Sequence, residues 1–216
     1  MSGVLAGRRV LISAGPTYED IDPVRFLGNR SSGKMGFALA AAAVGRGASV
    51  VLVAGPTALV TPGRVRRIDV RSAAQMREAV LSALPADIYL GAAAVADYTP
   101  RVTAGEKIKK SGEGMVLELV PTADILAEVA AHPQRPGLVV GFAAETGNLE
   151  HYARGKLAAK RLDMIAANLV GVPGSGFESD HNALSVYWQD GQRQLGPTAK
   201  TRLAGELLDL VADRLS

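Results

Sequence analysis

The sequence predicts an α/β fold: a doubly wound, mostly parallel sheet with helices on both faces and a C-terminal hairpin. Three observations carry that expectation. Short apolar runs without polar alternation, such as RRVLISAG (Arg8–Gly15) and SVVLVAG (Ser49–Gly55), have the profile of strands covered on both faces. An Ala-rich stretch that stops at glycines separates them, and this strand–helix–strand rhythm recurs down the chain. The 216 residues contain no internal repeat and no low-complexity linker, so residues 1–216 read as one domain.

The elements follow in order. GFALAAAAVGRGA (Gly36–Ala48) is a crossover helix, because alanine favours helix and Gly45 and Gly47 stop it. RRIDV predicts a short strand, and SAAQMREAVLSAL a helix opened by Ser72. DIYLGAAA (Asp87–Ala94) predicts a strand and TADILAEVAA a short helix. GLVVGFAAE is another buried strand, NLEHYARGKLAAKRL a helix and DMIAAN a strand. NALSVYWQDGQRQL reads as a hairpin turning at Asp190-Gly191, followed by an amphipathic helix from about Thr198. The order is Rossmann-like. Two segments interrupt it, PTYEDIDPVRFLGNRSS and DYTPRVTAGEKIKKSGEGM (Asp97–Met115). Long connections in compact domains are commonly functional, and both of these fall beyond the carboxyl ends of strands, where such sheets bind ligands.

Composition narrows the function classes. Hydrophobic residues make up 48% and charged residues 21%, as in ordinary globular proteins. The absence of cysteine excludes disulfides, thiolate zinc sites and a cysteine nucleophile. Three histidines argue against a His-rich metal site. A balance of 24 basic and 21 acidic residues is too even for nucleic-acid binding through bulk charge. No run of apolar residues is long enough for a membrane span, and no targeting segment is evident, so the expected location is cytoplasmic.

The segment GNRSSGKMG (Gly28–Gly36) satisfies the G-x-x-x-x-G-K part of a P-loop, but Met35 stands where a Mg²⁺-binding Ser or Thr is needed. A P-loop also follows its strand directly, and this segment does not. With Ser31, Ser32 and Gly33 at the first turn of a helix, its free N–H groups and dipole favour an anion; a simple Ser N-cap is the alternative. After the first strand, Gly15 stands without the rest of G-x-G-x-x-G, which weighs against a nicotinamide dinucleotide. GAAAVADY (Gly91–Tyr98) ends a strand in small residues that allow a ligand near the backbone, then offers Asp97 to a ribose hydroxyl or a metal, or as a turn former. EKIKK sets Lys107 and Lys109 on one side of an extended segment, as a basic flap over phosphates or a solvated run. GFAAET supplies Phe142, and the following helix carries Lys156 and Lys160 on one face. Like charges so placed repel, and an anionic ligand explains the pair better than chain stability does. Each charge-assisted hydrogen bond contributes roughly 1.5–3 kcal/mol, so several lysines and a helix terminus together suffice for a triphosphate. The residues alone imply a polyphosphate binder, with a nucleotide as the expected ligand, without a P-loop.

In the order GPTYEDIDPVRFLGNRSSGKMG, GAAAVADY, EKIKK and GFAAET, the chain closely resembles bacterial phosphopantothenoylcysteine synthetase, the phosphopantothenate–cysteine ligase of coenzyme A biosynthesis. The resemblance runs from about Arg8 to beyond Tyr187. It implies that the carboxylate of 4'-phosphopantothenate attacks the α-phosphate of CTP, giving an acyl-cytidylate and pyrophosphate, and that the amino group of L-cysteine then displaces CMP. It implies Asn29 as the residue stabilising the acyl-cytidylate, and Lys107 as a flap lysine on the triphosphate. Gly91, Ala92, Ala93, Asp97, Ala123, Asp124, Ile125, Leu126, Phe142, Lys156 and Lys160 match CTP-contacting positions, although PTADI departs from the NPDI form of the family. Ser31, Ser32 and Gly33 are expected to cradle a phosphate. Mg²⁺ is expected with the triphosphate, held mainly by phosphate oxygens and water. A homodimer whose interface completes the site is also implied, with apolar surface on the late strands available to form it. So is a flavin-dependent decarboxylase half elsewhere; VLAGRRV resembles the linker into the ligase half, which leaves an excised domain and a separate synthetase both open. An NAD(P)-dependent oxidoreductase and a non-catalytic nucleotide-binding module are the alternative readings.

Overall fold

The computed structural model describes residues 3–110, 112, 114–170 and 179–215. The chain opens with β1 (Arg9–Ala14), β2 (Tyr18–Asp20), β3 (Phe26–Gly28), α1 (Lys34–Gly45), β4 (Ser49–Ala54), β5 (Val65–Asp69) and α2 (Ala73–Ser82). It continues with β6 (Ile88–Gly91), β7 (Tyr98–Pro100), β8 (Leu119–Pro121), α3 (Ile125–Ala131), β9 (Leu138–Glu145) and α4 (Leu149–Ala159). It ends with β10 (Met164–Leu169), β11 (His181–Trp188), β12 (Gly191–Ala199) and α5 (Lys200–Ala212).

Eight strands form one sheet in the order β12-β11-β10-β9-β6-β1-β4-β5. From β5 to β10 all pairs are parallel, and β11 and β12 close one side in antiparallel sense. Alternate residues of the central strands feed two cores, as the twofold period of a strand requires. Val10, Ile12, Leu90 and Val140 meet Leu39 and Ala43 of α1 and Leu203 and Leu207 of α5 on one face. Leu11, Tyr89, Val139 and Ile165 meet Met76 of α2, Val129 of α3 and Leu157 of α4 on the other. This is the doubly wound, Rossmann-like arrangement expected.

The local signals also hold. Ser72 caps α2 in a full capping box with Gln75. The hairpin differs by one position: Trp188 pairs with Gly191, so the turn is Gln189-Asp190. The strand expected over Asp87–Ala94 stops at Gly91, and the last helix starts two residues late because β12 stays paired through Ala199. The two long connections contain short ribbons that periodicity did not expose, β2–β3 and β7–β8. Three-residue strands hold too few residues to display a period. The first ribbon is fixed by tertiary contacts: Tyr18 stacks on Phe26 at 3.9 Å, Arg71 lies over both rings and pairs with Asp20, and Glu19 accepts from the Ala73 N–H at the start of α2.

Candidate active site

The chain leaves β1 for β4 on one side and reaches β6 on the other, so a crevice opens above the carboxyl ends of β1 and β6. A cleft of about 650 Å³ occupies that position. Its floor is Ser13 and Tyr89, whose hydroxyls are 2.9 Å apart and buried. Burial pushes the Tyr89 phenol up to about 12; the Ser13 hydrogen bond opposes the rise and the Asp124 charge adds to it, so Tyr89 stays neutral and donates no base chemistry. Beyond β6 the small-residue segment zips along the extension of β1. Ala92 donates to the Ser13 carbonyl, Ala94 to Gly15 and Ala96 to the Thr17 hydroxyl. Bonds at alternate residues turn the intervening peptides toward the opposite side.

The start of α1 forms one wall. Gly36 packs so closely on β1 that an added Cβ would collide with Ala14, which brings the helix start to the strand end. The expected Ser N-cap is not what forms. Gly33 is the N-cap in the left-handed region (φ 76°), and no side chain caps the helix. Ser31 instead accepts from the Gly33 N–H at 3.4 Å. The start of α1 thus faces the cleft without a side-chain cap, and the positive end of its dipole favours an anion there.

The opposite wall comes from α3, β9 and α4. Ala123, Asp124, Ile125 and Leu126, then Phe142, Lys156 and Lys160, all line the cleft. The electrostatic argument from the sequence is corrected here. Lys156 pairs with Glu145 at 2.7 Å and Lys160 with Asp124 at 2.8 Å, so the chain itself compensates the two like charges. Asp124 also caps α3 through the Ala127 N–H. Partial burial disfavours its ionised form, but the Lys160 hydrogen bond and the Ala127 and Leu126 amides outweigh that and hold the carboxyl below the usual range.

Asn29 lies at the rim beside Gly91, Ala92, Ala93 and Asp97. Its Nδ2 donates to the Val95 carbonyl at 2.9 Å, which fixes the carboxamide against the small-residue segment. Lys107 is not brought in. It is exposed and stands outside the cleft, and Ser111 and Glu113 of its loop lie outside the described residues. The loop is tied to the β2–β3 ribbon: Ile108 donates to Asp22, Arg25 donates to the Ile108 carbonyl, Ala104 donates to Ile21 and Thr103 to Asp20. Arg25 and three backbone amides hold the buried Asp22 carboxyl far below the usual range, Arg25 first and against the cost of burial. A flap closing over its own cleft is therefore not what the single chain shows.

Sequence reasoning missed Lys34, Asn168, Asn182 and Lys200, which line the same cleft. Lys200 carried a legible signal. With Leu203, Ala204 and Leu207 it occupies i, i+3, i+4 and i+7 of the apolar face of α5, an unusual place for a lysine. Asn182 had none, because its position depends on strand register. Among the described residues no group of three or more His, Asp or Glu side chains is placed to hold a metal. Two exposed carboxylates line the cleft, Asp97 and the Lys160-paired Asp124, and Asp97 fits a magnesium ion held chiefly by phosphate oxygens and water with one protein carboxylate. No helix among the described residues is long and apolar enough to cross a membrane.

The family profile described as DNA/pantothenate metabolism flavoprotein C-terminal domain matches residues 5–215. Coenzyme A biosynthesis bifunctional protein CoaBC of Vibrio cholerae is 50% identical over 215 residues, 98% of this chain and 54% of that protein. The Escherichia coli K12 protein of the same name is 51% identical over 203 residues, 92% of this chain and 50% of its own length. The chain thus spans about half the length of the curated relatives it matches. A crystal structure of the C-terminal domain of a CoaBC protein superposes with a TM-score of 0.84 at 42% identity, covering 99% of this chain and 98% of that one.

Proposed function

The chain belongs to the DNA/pantothenate metabolism flavoprotein C-terminal domain family, and on that premise we propose that it is a CTP-dependent phosphopantothenate–cysteine ligase. The observation that carries this reading is one cleft, in a chain so close to the CoaBC C-terminal domain, gathering Asn29, the Gly91–Ala93 backbone, Asp97, Phe142, Lys156 and Lys160. In the first half-reaction the pantothenoyl carboxylate attacks the α-phosphorus, and the bond to the β,γ-pyrophosphate breaks. In the second the cysteine amine attacks the acyl carbon, loses a proton, and CMP leaves.

The residues supply positioning and charge neutralisation rather than a nucleophile. Phe142 and the α3–α4 wall hold the nucleoside, and the α1 amides face phosphate. Asn29, fixed by Val95, presents an amide that does not titrate to the oxygen that gains charge. Asp97 is the protein group we assign to Mg²⁺, whose chemistry is neutralisation of phosphate charge. Lys107, outside its own cleft, is assigned to the cleft of a second copy in a homodimer. That reading draws support from Tyr98, Val102, Val116 and Leu119, large apolar residues exposed on and beside the β7–β8 ribbon. Apolar surface on the late strands, the expectation from sequence, amounts to Leu169 among the exposed large hydrophobics of the described residues. We assign this chain the ligase half alone, with a flavin-dependent decarboxylase as the companion activity.

The test is pyrophosphate release from purified protein with Mg²⁺, CTP and 4'-phosphopantothenate, with and without L-cysteine, repeated with ATP. Turnover that becomes catalytic only with cysteine is expected, and the ATP arm defines the base preference. Binding of CTP with no release under any condition would leave the non-catalytic module instead.

A further inference from the structure

One stretch of the cleft has no polar side chain with which to fix itself. From Ala92 to Ala96 the segment beyond β6 carries only methyl and isopropyl groups. Yet Asp97, and the Val95 carbonyl that holds Asn29, depend on its course. Its first two anchors are backbone bonds on the extension of β1, from the Ala92 N–H to Ser13 and from the Ala94 N–H to Gly15. The next bond in that series calls for the Thr17 carbonyl. That carbonyl lies against Gly28 of β3, where an added Cβ would stand 2.9 Å from it, because the chain has already turned into the β2–β3 ribbon. The Thr17 hydroxyl takes its place and accepts from the Ala96 N–H at 2.9 Å.

A second threonine holds the other end of the same residue. Thr122, directly after β8, donates its hydroxyl to the Ala96 carbonyl at 2.6 Å and its N–H to the Asp97 carbonyl at 2.9 Å. Three hydrogen bonds thus fall on two adjacent residues and restrict the backbone that aims the Asp97 side chain. Thr17 is fully buried and Ala96 is 5% exposed, so a lost hydroxyl would leave the Ala96 N–H without a partner. Threonine suits the task because its branched Cβ keeps the hydroxyl in few rotamers. Thr122 also lines the cleft and precedes Ala123, the first residue of the nucleoside wall. The grip on Ala96 therefore ties together the β1 extension, the small-residue segment and the start of that wall.

We propose that Thr17 and Thr122 are positioning residues for the reaction. By holding Ala96 at its N–H and its carbonyl they set where Asp97 stands and where the Val95 carbonyl fixes the Asn29 carboxamide. The proposal rests on the ligase reading for what those two groups do, and on the hydrogen bonds alone for the grip itself. Displacing a positioned group by about 1 Å costs up to about a hundredfold in rate.

The test compares Thr17→Val and Thr122→Val, which keep the shape and lose the hydroxyl, with Thr17→Ser and Thr122→Ser, which keep the hydroxyl. Amide hydrogen exchange across residues 94–97 should speed roughly tenfold or more in the valine variants, with α1 and α4 unchanged. Their kcat should fall roughly ten- to a hundredfold, while the KM for L-cysteine stays within a few-fold. Calorimetric affinity for CTP with Mg²⁺ should fall several-fold, and that for CMP should not change. The serine variants should recover most of each loss. Thermal melting checks folding, and if Thr17→Val does not fold, Thr122→Val decides. Unchanged exchange at residues 94–97 would overturn the grip. Faster exchange with unaltered kcat and CTP affinity, a parallel loss of CMP binding, or no recovery by serine would each overturn the positioning role. No turnover by the original chain would strike the ligase reading on that control alone. The CTP and CMP affinities then decide for the threonines, and equal CTP affinities, or no binding of CTP by any of the chains, would overturn their role too.

Discussion

The two walls of the cleft use the same residue types to opposite ends. On the α4 wall each lysine has its own carboxylate, Lys156 with Glu145 and Lys160 with Asp124, so the wall is close to neutral and its cations are held in place. On the α1–α5 wall Lys34 pairs with Asp180, Lys200 is buried at the start of α5, and Asn182 Oδ1 has no hydrogen-bond partner among the described residues. A lysine in a cleft is thus not evidence of phosphate binding until its neighbours are counted. The paired wall suits a neutral or weakly charged moiety such as a nucleoside. The other sets the start of α1, which no side chain caps, against the cleft.

The sharpest way to break this division is Asn29→Asp. It places a negative charge where we assign developing negative charge, so kcat should fall roughly 10²–10³-fold while CTP affinity changes little. Steady-state kinetics beside direct nucleotide binding give both numbers, and a loss confined to binding would move Asn29 to the nucleoside wall. Next comes Lys160→Gln, which strands Asp124 and should weaken nucleotide binding about tenfold. If the lysine acts by neutralising Asp124, the double variant with Asp124→Asn recovers most of that loss. If Lys160 is itself a phosphate ligand, the double variant does not.

Acid titration separates the cleft from its supports. Asp22 and Asp124 have carboxyls depressed in the folded state. Each therefore contributes stability that is present above the ordinary carboxylate value of about 4 and is lost as pH falls below it. No change from these groups is expected between pH 7 and 5. Asp22→Asn should remove part of the acid limb of a pH–melting profile and speed tryptic cleavage at Lys107–Lys110, because Ile108 and Arg25 lose their anchor. The smallest effect belongs to the floor shared by both walls. Tyr89→Phe leaves the buried Ser13 hydroxyl without its partner and should cost about 1–3 kcal/mol in denaturant unfolding.

Much of the fold was legible because long apolar runs and Ala-rich helices carry their period with them. Ser72 announced the start of α2, where the structure closes a capping box with Gln75, and the parallel core strands declared themselves by the absence of polar alternation. The β2–β3 and β7–β8 ribbons did not, since three residues cannot show a period and their pairing rests on Tyr18–Phe26 stacking and on Thr122 bonding back to Ala96. The lining of the cleft was legible where backbone and small side chains make it, at Ser31–Gly33 and Gly91–Asp97. It was misread where charge makes it. Lys156 and Lys160 look unpaired along α4 because Glu145 lies eleven residues from the one and Asp124 belongs to another helix.

By itself the sequence determined the α/β class, the doubly wound order and the cluster of motifs that marks the family, since periodicity, capping and turn chemistry act between near neighbours. Only the tertiary structure decided which cations are compensated, that Lys107 stands outside its own cleft, and that Lys200 and Asn182 share a corner with Lys34. The reason is physical. Whether a buried charge or amide is satisfied depends on atoms within about 3 Å in space, and strands far apart in the chain supply them.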